Sequence, residues 1–259
     1  MKKLIFLVLV FALVAAAEFQ TKEWEIEGLK REALIWIPQN TNTAVPVVFA
    51  FHGHGGTMAN AARSFRMHEV WPEAVCVYMQ GLPTPGKLSD PEGKRPGWQQ
   101  RTGIHNDRDL KFFDAVFESL KQKFPVDESR IYCTGHSNGG AFTYLLWGER
   151  GELFAAVAPS GSLNRDVVRK IKSKPVIHVA GKTDPLVKYE WQEAMLNEVR
   201  RVNQCSDDSA PWESAGGLTG AIYPSAYETP LVTLIHPGGH EFPKAAPELI
   251  AKFFKQFHK

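Results

Sequence analysis

The order of apolar and polar residues restricts the fold of this chain more than any other feature of its sequence. Short apolar runs typical of strands alternate with segments whose apolar residues recur at helical spacing. The run at residues 45–51 is apolar at every position, as expected for a strand buried on both faces of its sheet. Strands that alternate with helices predict an α/β fold with a mostly parallel central sheet and helices on both faces.

These segments follow one another without a repeat or a flexible linker, so we expect a single domain over residues 18–259. Pro and Gly are frequent over residues 81–103, which predicts a long irregular loop. Strands are expected at residues 33–38, 45–51, 74–79, 130–134, 153–158, 176–180 and 231–235. Helices are expected at residues 60–68, 107–124, 139–148, 167–171, 190–202 and 247–257.

The N-terminus has the composition of a secretory signal peptide. Lys2 and Lys3 precede an apolar run at residues 4–14, and three alanines follow at residues 15–17. The apolar run is shorter than the roughly 20 residues that a membrane-spanning helix needs. We therefore expect residues 1–17 to be removed, and the mature protein to be secreted or periplasmic with no membrane anchor.

The charge of the remaining chain excludes one class of partner. Loss of Lys2 and Lys3 leaves equal numbers of basic and acidic residues, and the basic residues form no stripe along the sequence. A protein that binds nucleic acid normally carries a basic patch. We therefore expect no nucleic-acid partner.

Three cysteines, Cys76, Cys133 and Cys205, are too few and too scattered to form a disulfide framework. Cys76 and Cys133 lie in apolar runs and are expected to be small buried residues. Whether any two of the three pair is left open by the sequence.

A Gly-His-Ser-Asn-Gly pentapeptide at residues 135–139 lies between a predicted strand and a predicted helix. This is the context of a nucleophile elbow, in which a serine occupies a strained turn at the end of a strand. The turn needs small residues two positions before and after the serine, and Gly135 and Gly139 meet that need. The pattern predicts Ser137 as a nucleophile.

A serine hydroxyl is a weak nucleophile at neutral pH, so a base must accept its proton. His240 is the best candidate, because it follows Pro-Gly-Gly directly after the last predicted strand. His236 ends that strand and precedes a proline, His178 lies inside an apolar strand, and His258 is almost terminal. These three are the weaker candidates.

In a site built on a nucleophile elbow, an acidic residue lies between the serine and the histidine along the chain. Asp184 follows the strand predicted at residues 176–180, which places it at the same edge of the sheet as Ser137. It could instead cap a turn before Pro185, and Asp207 or Asp208 is the second choice. Asp184 is the predicted partner of the base.

Hydrolysis of an ester also requires hydrogen-bond donors for the oxyanion of the tetrahedral intermediate. One is expected from the backbone N–H of Asn138, and the other from the His-Gly-His-Gly-Gly loop at residues 52–56. We expect the N–H of His54 to serve, with that of Gly55 as the alternative. His52 and His54 lack a third ligand at useful spacing, so no metal is expected, nor any cofactor.

Four stretches of this chain form a recognisable set of motifs. They are the loop at residues 52–56, Gly-Trp-Gln at residues 97–99, the strand and elbow at residues 126–140, and Phe-Ala-Ala-Val-Ala-Pro at residues 154–159. Together with Asp-Pro at residues 184–185 and Gly-His at residues 239–240, they resemble the polyhydroxybutyrate-depolymerase and feruloyl-esterase branch of the α/β-hydrolases, also called LpqC-like esterases. The resemblance covers about residues 45–245.

This resemblance implies an α/β-hydrolase fold and a secreted carboxylic-ester hydrolase with Ser137, Asp184 and His240 as its catalytic triad. The chain departs from its relatives at two places. Related sequences have an acidic pair followed by an apolar residue where this chain has Asn-Asp-Arg-Asp at residues 106–109, and a small residue where it has His54. Both departures concern the rim of the pocket and therefore the substrate.

Candidate substrate contacts are Trp98, Gln99 and His136. An aromatic ring at Trp98 could stack on a phenolic or sugar ring, or could pack its loop onto the domain. The expected substrates are small-molecule or oligosaccharide esters, namely feruloyl or acetyl esters of plant polysaccharide fragments. Hydroxybutyrate oligomers are the alternative.

Two other classes of function remain open from the sequence. The same three residues could serve a peptidase or an acyltransferase, because these enzymes share the geometry. A binding protein without activity is the third class, but such a protein has no need of Ser137, Asp184 and His240 together.

Overall fold

The structure, a computed structural model, describes residues 17–86 and 89–259. The predicted signal peptide, residues 1–17, lies outside the described residues except for its last position. The strands, labelled β1 to β12 in chain order, are Glu18–Ile26, Leu29–Ile37, Val45–Phe51, Val75–Met79, Leu82–Pro83, Pro96–Gly97, Val126–His136, Ala156–Ser160, Val176–Gly181, Ala210–Ala215, Leu218–Tyr223 and Leu231–His236. The helices, α1 to α6, are Met58–Phe65, Met67–Val70, Arg108–Lys123, Asn138–Arg150, Tyr189–Asn203 and Ala246–Phe254.

Ten of these strands form one sheet in the order β1-β2-β4-β3-β7-β8-β9-β12-β11-β10. The six central strands, from β4 to β12, run parallel to one another, and two antiparallel strands extend the sheet at each end. The prediction of a mostly parallel sheet in an α/β-hydrolase fold is confirmed. The carboxyl ends of β7, β9 and β12 therefore meet at one edge of the sheet, which is where ligands bind in such folds.

Helices cover both faces of the sheet because alternate residues of its central strands point to opposite sides. Phe49 and Phe51 of β3 pack with residues of α3, α4 and α5, whereas Val48 and Ala50 pack with residues of α1, α2 and α6. Helix α4 is buried from its first residue to Trp147, as expected for a helix that is apolar on all sides.

The two hairpins at the ends of the sheet were not predicted. The turn between β1 and β2 consists of Glu27 and Gly28, and that between β10 and β11 of Gly216 and Gly217; all four have positive φ. Two-residue hairpin turns require this conformation, for which glycine is the favoured residue. Glu-Gly and Gly-Gly are sequence signals for such turns, and they predict both hairpins.

Two predicted helices differ in the structure. The segment predicted as one helix at residues 60–68 is divided into α1 and α2 by Arg66, whose φ of 44° interrupts the helical path. The short helix predicted at residues 167–171 is a single 3₁₀ turn at Arg165–Val167. Apolar residues recur at helical spacing in both segments, so the sequence predicted a helix in each. This spacing gives no information on a local change of backbone conformation.

All three cysteines are free thiols, with Cys76 and Cys133 fully buried as expected. Within the part of the chain that the structure describes, no helix combines the length and apolarity needed to cross a membrane.

Candidate active site

Ser137 occupies the sharp turn between β7 and α4. Its φ of 57° and ψ of −120° lie outside the regions that non-glycine residues ordinarily adopt. The turn is held by a hydrogen bond of 2.8 Å from the N–H of Ser137 to the carbonyl of Ser160 at the end of β8. Such strain in a non-glycine residue is typical of functional positions, and here it presents the hydroxyl at the edge of the sheet.

Glycine at positions 135, 139 and 140 is required by the close approach of neighbouring backbone. A β-carbon at Gly135 would overlap the carbonyl of Gly139, and one at Gly139 would overlap the carbonyls of Phe51 and His52. A β-carbon at Gly140 would collide with the hydroxyl of Ser162. The elbow can therefore form only because the sequence has no side chain at these three positions.

The structure brings together the three residues predicted as a triad. The Ser137 hydroxyl lies 2.8 Å from Nε2 of His240 and can donate its proton there. On the other side of the same ring, Nδ1–H of His240 donates to Oδ2 of Asp184 over 2.7 Å. The Asp184 side chain is fully buried, whereas that of His240 is 16% exposed and faces the pocket. The arrangement can transfer a proton from the serine hydroxyl to the imidazole.

The other carboxylate oxygen of Asp184 is held by the loop that follows it. Oδ1 accepts hydrogen bonds from the backbone N–H groups of Leu186 and Val187, each at 2.8 Å. This is the turn-capping role that the sequence offered as an alternative for Asp184. The structure shows both roles at once, one for each oxygen.

The competing acids and bases lie elsewhere. His178 is buried and bonded to Tyr144 and Gln192, and His236 lies 3.5 Å from the carboxylate of Glu241. The remaining alternatives, His258, Asp207 and Asp208, are exposed.

The backbone N–H groups of His54 and Asn138 lie near Ser137, and neither has an acceptor among the described residues. The alternative donor, Gly55, is already engaged, because its N–H donates to the carbonyl of Pro96 over 2.7 Å. The loop passes close to the nucleophile, since a β-carbon at Gly53 would lie 3.5 Å from Cβ of Ser137. The geometry thus favours His54 over Gly55 as the second oxyanion donor.

The side chain of Asn138 has a structural role that the sequence did not indicate. Its Oδ1 accepts from the N–H of Trp98 at 2.7 Å, and its Nδ2 donates to the carbonyl of Trp98 at 3.1 Å. This pair of bonds fastens the loop at residues 97–99 to the start of α4, beside the nucleophile.

Trp98 does not face the pocket, contrary to the expectation that its ring contacts substrate. The ring is fully buried, stacks on Phe142 with centroids 5.1 Å apart, and donates through Nε1–H to the carbonyl of His52. The indole thus packs its own loop onto the domain, which was the alternative role predicted for it. Its bond to His52 also holds the loop at residues 52–56.

Gln99 also differs from the expected substrate contact. It is fully buried, its Oε1 accepts from the N–H of Asp109, and its Nε2 donates to Asp107 and to the carbonyl of Arg101. Its hydrogen-bonding groups are therefore satisfied within the protein. Asp107 and Asp109, both in the stretch at residues 106–109 that departs from the family pattern, thus hold this loop.

His136 was expected to contact substrate, but it contacts the loop that carries His240 and does not line the pocket at Ser137. Its Nε2–H donates to the carbonyl of His240 at 3.0 Å, and its Nδ1 accepts from the hydroxyl of Ser160 at 3.1 Å. Desolvation of the ring and the neighbouring His240 lower the pKa of His136 to about 4. A neutral ring is consistent with one nitrogen donating and the other accepting.

A pocket of about 320 Å³ opens at Ser137 and His240. One wall is apolar and includes Leu186 and Trp191, which are 44% and 40% exposed and belong to the few large apolar side chains at the surface. Polar groups of the pocket include His54, Ser89, Gln100, Asn164 and Arg165. The sequence did not indicate this wall, although Leu-Val directly after Asp-Pro at residues 184–185 places apolar side chains beside the predicted acid.

Among the described residues there is no cluster of three or more His, Cys, Asp or Glu side chains that could hold a metal ion.

Known proteins include relatives of this chain in sequence and solved structures with the same fold. The Prolyl oligopeptidase family model matches residues 98–173. Feruloyl esterase C from Emericella nidulans is 24% identical over 221 residues, which are 82% of this chain and 76% of that protein. A bifunctional acetylxylan esterase/xylanase from Neocallimastix patriciarum is 24% identical over 186 residues, 69% of this chain and 25% of that protein.

Among solved structures, a ferulic acid esterase superposes with a TM-score of 0.63 at 16% identity, covering 93% of this chain and 98% of the other. This likeness shows the fold. The feruloyl-esterase part of the resemblance is confirmed by the sequence relatives, and the polyhydroxybutyrate-depolymerase part stays a prediction. The chain is thus similar in sequence to a feruloyl esterase and similar in fold to a ferulic acid esterase.

Proposed function

We propose that this protein is a secreted serine carboxylic-ester hydrolase that uses Ser137 as nucleophile, His240 as general base and acid, and Asp184 as the partner of that histidine. The observation that carries the proposal is the continuous pair of hydrogen bonds from Ser137 Oγ to His240 Nε2 and from His240 Nδ1 to Asp184 Oδ2. These two hydrogen bonds lie at the pocket, and the backbone of Ser137 there is strained.

The reaction follows from this geometry. Ser137 attacks the ester carbonyl while His240 accepts its proton, and the backbone N–H groups of His54 and Asn138 stabilise the oxyanion. His240 then protonates the leaving alcohol, which leaves an acyl group on Ser137. Water, activated by His240, attacks this acyl-enzyme and releases the acid.

The pocket and the relatives support a class of substrate. Leu186 and Trp191 are exposed apolar side chains that line the same pocket, and grouped exposed apolar side chains often mark a ligand-binding surface. We propose that they cover the acyl group of a feruloyl or acetyl ester carried by a plant polysaccharide fragment. The sequence relatives named as a feruloyl esterase and an acetylxylan esterase support this class.

A test of the reaction compares the wild type with Ser137→Ala on p-nitrophenyl acetate. The variant should fold normally and lose measurable turnover, whereas Ser119→Ala on α3 should behave as the wild type. A fluorophosphonate should label the wild type once, at Ser137. Turnover retained by Ser137→Ala, or labelling at another residue, would contradict the assignment.

A test of the substrate compares specificity constants for methyl ferulate, acetylated xylan, hydroxybutyrate oligomers and p-nitrophenyl acetate. The proposal expects methyl ferulate or acetylated xylan to have the highest value. A clear preference for hydroxybutyrate oligomers would instead support the depolymerase alternative.

A peptidase is the second candidate, because the Prolyl oligopeptidase family model matches a segment that contains the serine elbow. An assay with p-nitroanilides of proline-containing peptides distinguishes the two. The esterase proposal expects amide hydrolysis to be at most a trace of ester hydrolysis.

Secretion rests on the sequence of residues 1–17 alone. N-terminal sequencing of the protein exported by a bacterial host should begin at Glu18. An intact Met1 on the exported protein would contradict cleavage there.

A further inference from the structure

A buried glutamine lies directly behind the loop that carries Asp184. Gln192, in the first turns of α5, is fully buried. Its Nε2 donates to the carbonyl of Val187 at 2.7 Å and lies 3.4 Å from Oδ2 of Asp184. Its Oε1 lies 3.0 Å from Nε2 of His178 in β9. The glutamine thus joins the Asp184 loop to the central sheet.

The direction of these hydrogen bonds is determined by the groups that take part. Carbonyl and carboxylate oxygens can only accept, so the amide nitrogen of Gln192 faces them and its oxygen must accept from His178. His178 therefore carries its hydrogen on Nε2, and Nδ1 is left to accept from the hydroxyl of Tyr144 at 3.1 Å. Burial lowers the pKa of His178 to about 4, which keeps this single neutral form.

None of the three side chains has access to solvent. Tyr144, His178 and Gln192 are each 0% exposed, so water cannot replace a lost partner. A buried polar group without a partner is destabilising. The hydrogen bonds that join Tyr144, His178, Gln192 and Val187 therefore have a single stable arrangement. The chain begins on α4, the helix that starts just after the nucleophile, and ends at the loop of the catalytic acid.

The Asp184 loop is consequently held on both sides. The N–H groups of Leu186 and Val187 donate to Oδ1 of Asp184, while the carbonyl of Val187 accepts from Gln192. The same short segment positions the carboxylate for His240 and supplies apolar side chains to the pocket wall. Displacement of this segment would move both the acid and the wall.

We propose that Gln192, oriented by His178, is a positioning residue that holds the segment 184–187 in the geometry needed for proton transfer and for substrate binding. The inference rests on the proposed esterase function of this site. Gln192 touches neither the substrate nor the reacting atoms and acts through Asp184 and Val187.

The test uses Gln192→Leu, which fills a similar volume but cannot donate to Val187 or accept from His178. Misplacement of a catalytic group by about 1 Å can lower a rate by about 100-fold. We expect kcat for p-nitrophenyl acetate to fall by about 10- to 100-fold. We expect kcat/KM to fall further for p-nitrophenyl butyrate, because the longer acyl group makes more contact with the displaced wall.

A matched control exists on the same helix. Asn203 is also fully buried, and its amide donates to the carbonyls of Lys174 and Thr229 at 2.6 and 2.7 Å. Asn203→Leu should therefore lower the melting temperature about as much as Gln192→Leu, while kcat stays within about twofold of the wild type. A role in stability alone would give the two variants the same kcat.

A second pair of variants keeps the test decisive if Gln192→Leu does not fold. His178→Gln can still donate to Gln192 and accept from Tyr144, whereas His178→Leu can do neither. We expect His178→Gln to retain most of kcat and His178→Leu to lose about tenfold or more.

Two results would overturn the inference: a folded Gln192→Leu with the kcat of the wild type, or equal kcat values for the two His178 variants. Failure of the proposed function looks different. In that case the wild type itself would neither hydrolyse p-nitrophenyl acetate nor react with a fluorophosphonate at Ser137.

Discussion

The carboxylate of Asp184 accepts from Nδ1–H of His240 through Oδ2, and its Oδ1 is fully occupied by the backbone N–H groups of Leu186 and Val187. The two oxygens are therefore not interchangeable. One orients the imidazole and the other closes the loop that forms the apolar wall of the pocket. One side chain, that of Asp184, thus both orients His240 and holds the loop that contributes to the apolar wall of the pocket.

This asymmetry predicts the effect of Asp184→Asn. The amide oxygen must take the position of Oδ1 to accept from Leu186 and Val187, so the amide NH₂ faces His240. The imidazole then carries its hydrogen on Nε2 and cannot accept the proton of Ser137. We expect kcat to fall by about 10⁴-fold, with KM and the melting temperature nearly unchanged. A drop of less than about tenfold in steady-state assays would contradict this tautomer argument.

Gly139→Ala is expected to destabilise the domain severely. The added methyl would overlap the carbonyls of Phe51 and His52, which are backbone atoms that cannot move aside without shifting β3. We expect a loss of about 3 kcal/mol in the free energy of unfolding, measured in urea. Gly151→Ala is the control, because its methyl would lie 3.3 Å from the side chain of Trp147. It should cost less than about 1 kcal/mol, and equal losses would refute the steric explanation.

The buried ion pair between Arg31 and Asp109 predicts a second large loss of stability. Both side chains are completely buried, 2.8 Å apart, and Oδ2 of Asp109 also accepts from the N–H of Gln99. Asp109→Ala leaves an unpaired buried charge, so the free energy of unfolding should fall by about 3 to 5 kcal/mol.

A control for this loss lies on the same helix, α3. Asp114 pairs with Arg150 at the partly exposed surface, with side chains 39% and 30% exposed. Asp114→Ala should cost no more than about 1 kcal/mol. The double variant Arg31→Met with Asp109→Leu should recover part of the stability lost in Asp109→Ala, because it removes the unpaired charge. No recovery would argue against desolvated charge as the cause.

Buried neutral histidines predict a loss of stability at acid pH. Burial lowers the pKa of His52 and of His178 from 6.5 to about 4. Between these values the unfolded chain binds protons that the folded chain does not, so the free energy of unfolding falls as the pH is lowered from 6.5 towards 4. Each such histidine contributes a slope of about 1.4 kcal/mol per pH unit.

The measurement is urea unfolding of the wild type and of His178→Gln at several pH values between 4.5 and 7. The variant lacks one titrating group, so its slope should be smaller by about one proton. Identical slopes would mean that His178 is protonated in the folded state, which contradicts the directions of its hydrogen bonds to Tyr144 and Gln192.

The sequence was sufficient for features that depend on local patterns. The periodicity of apolar residues predicted the central parallel strands, and the glycines at 135 and 139 predicted the elbow at Ser137. The order of Ser137, Asp184 and His240 along the chain was informative because the carboxyl ends of parallel strands meet at one edge of the sheet. Two antiparallel hairpins were missed because their turn residues, and not apolar periodicity, define them.

Tertiary structure alone decided which side chains of the long loop face the pocket. Trp98 and Gln99 were expected in the pocket, but contacts with Phe142 of α4 and Asp109 of α3 hold them inside the domain. In an irregular loop the direction of a side chain does not alternate in a regular way along the sequence. It depends on tertiary contacts, which form only in the folded protein. The same holds for Gln192, whose place behind Asp184 depends on the packing of α5 against the sheet. The sequence by itself thus predicted which residues meet at Ser137, whereas packing decided which side chains form the walls of the pocket.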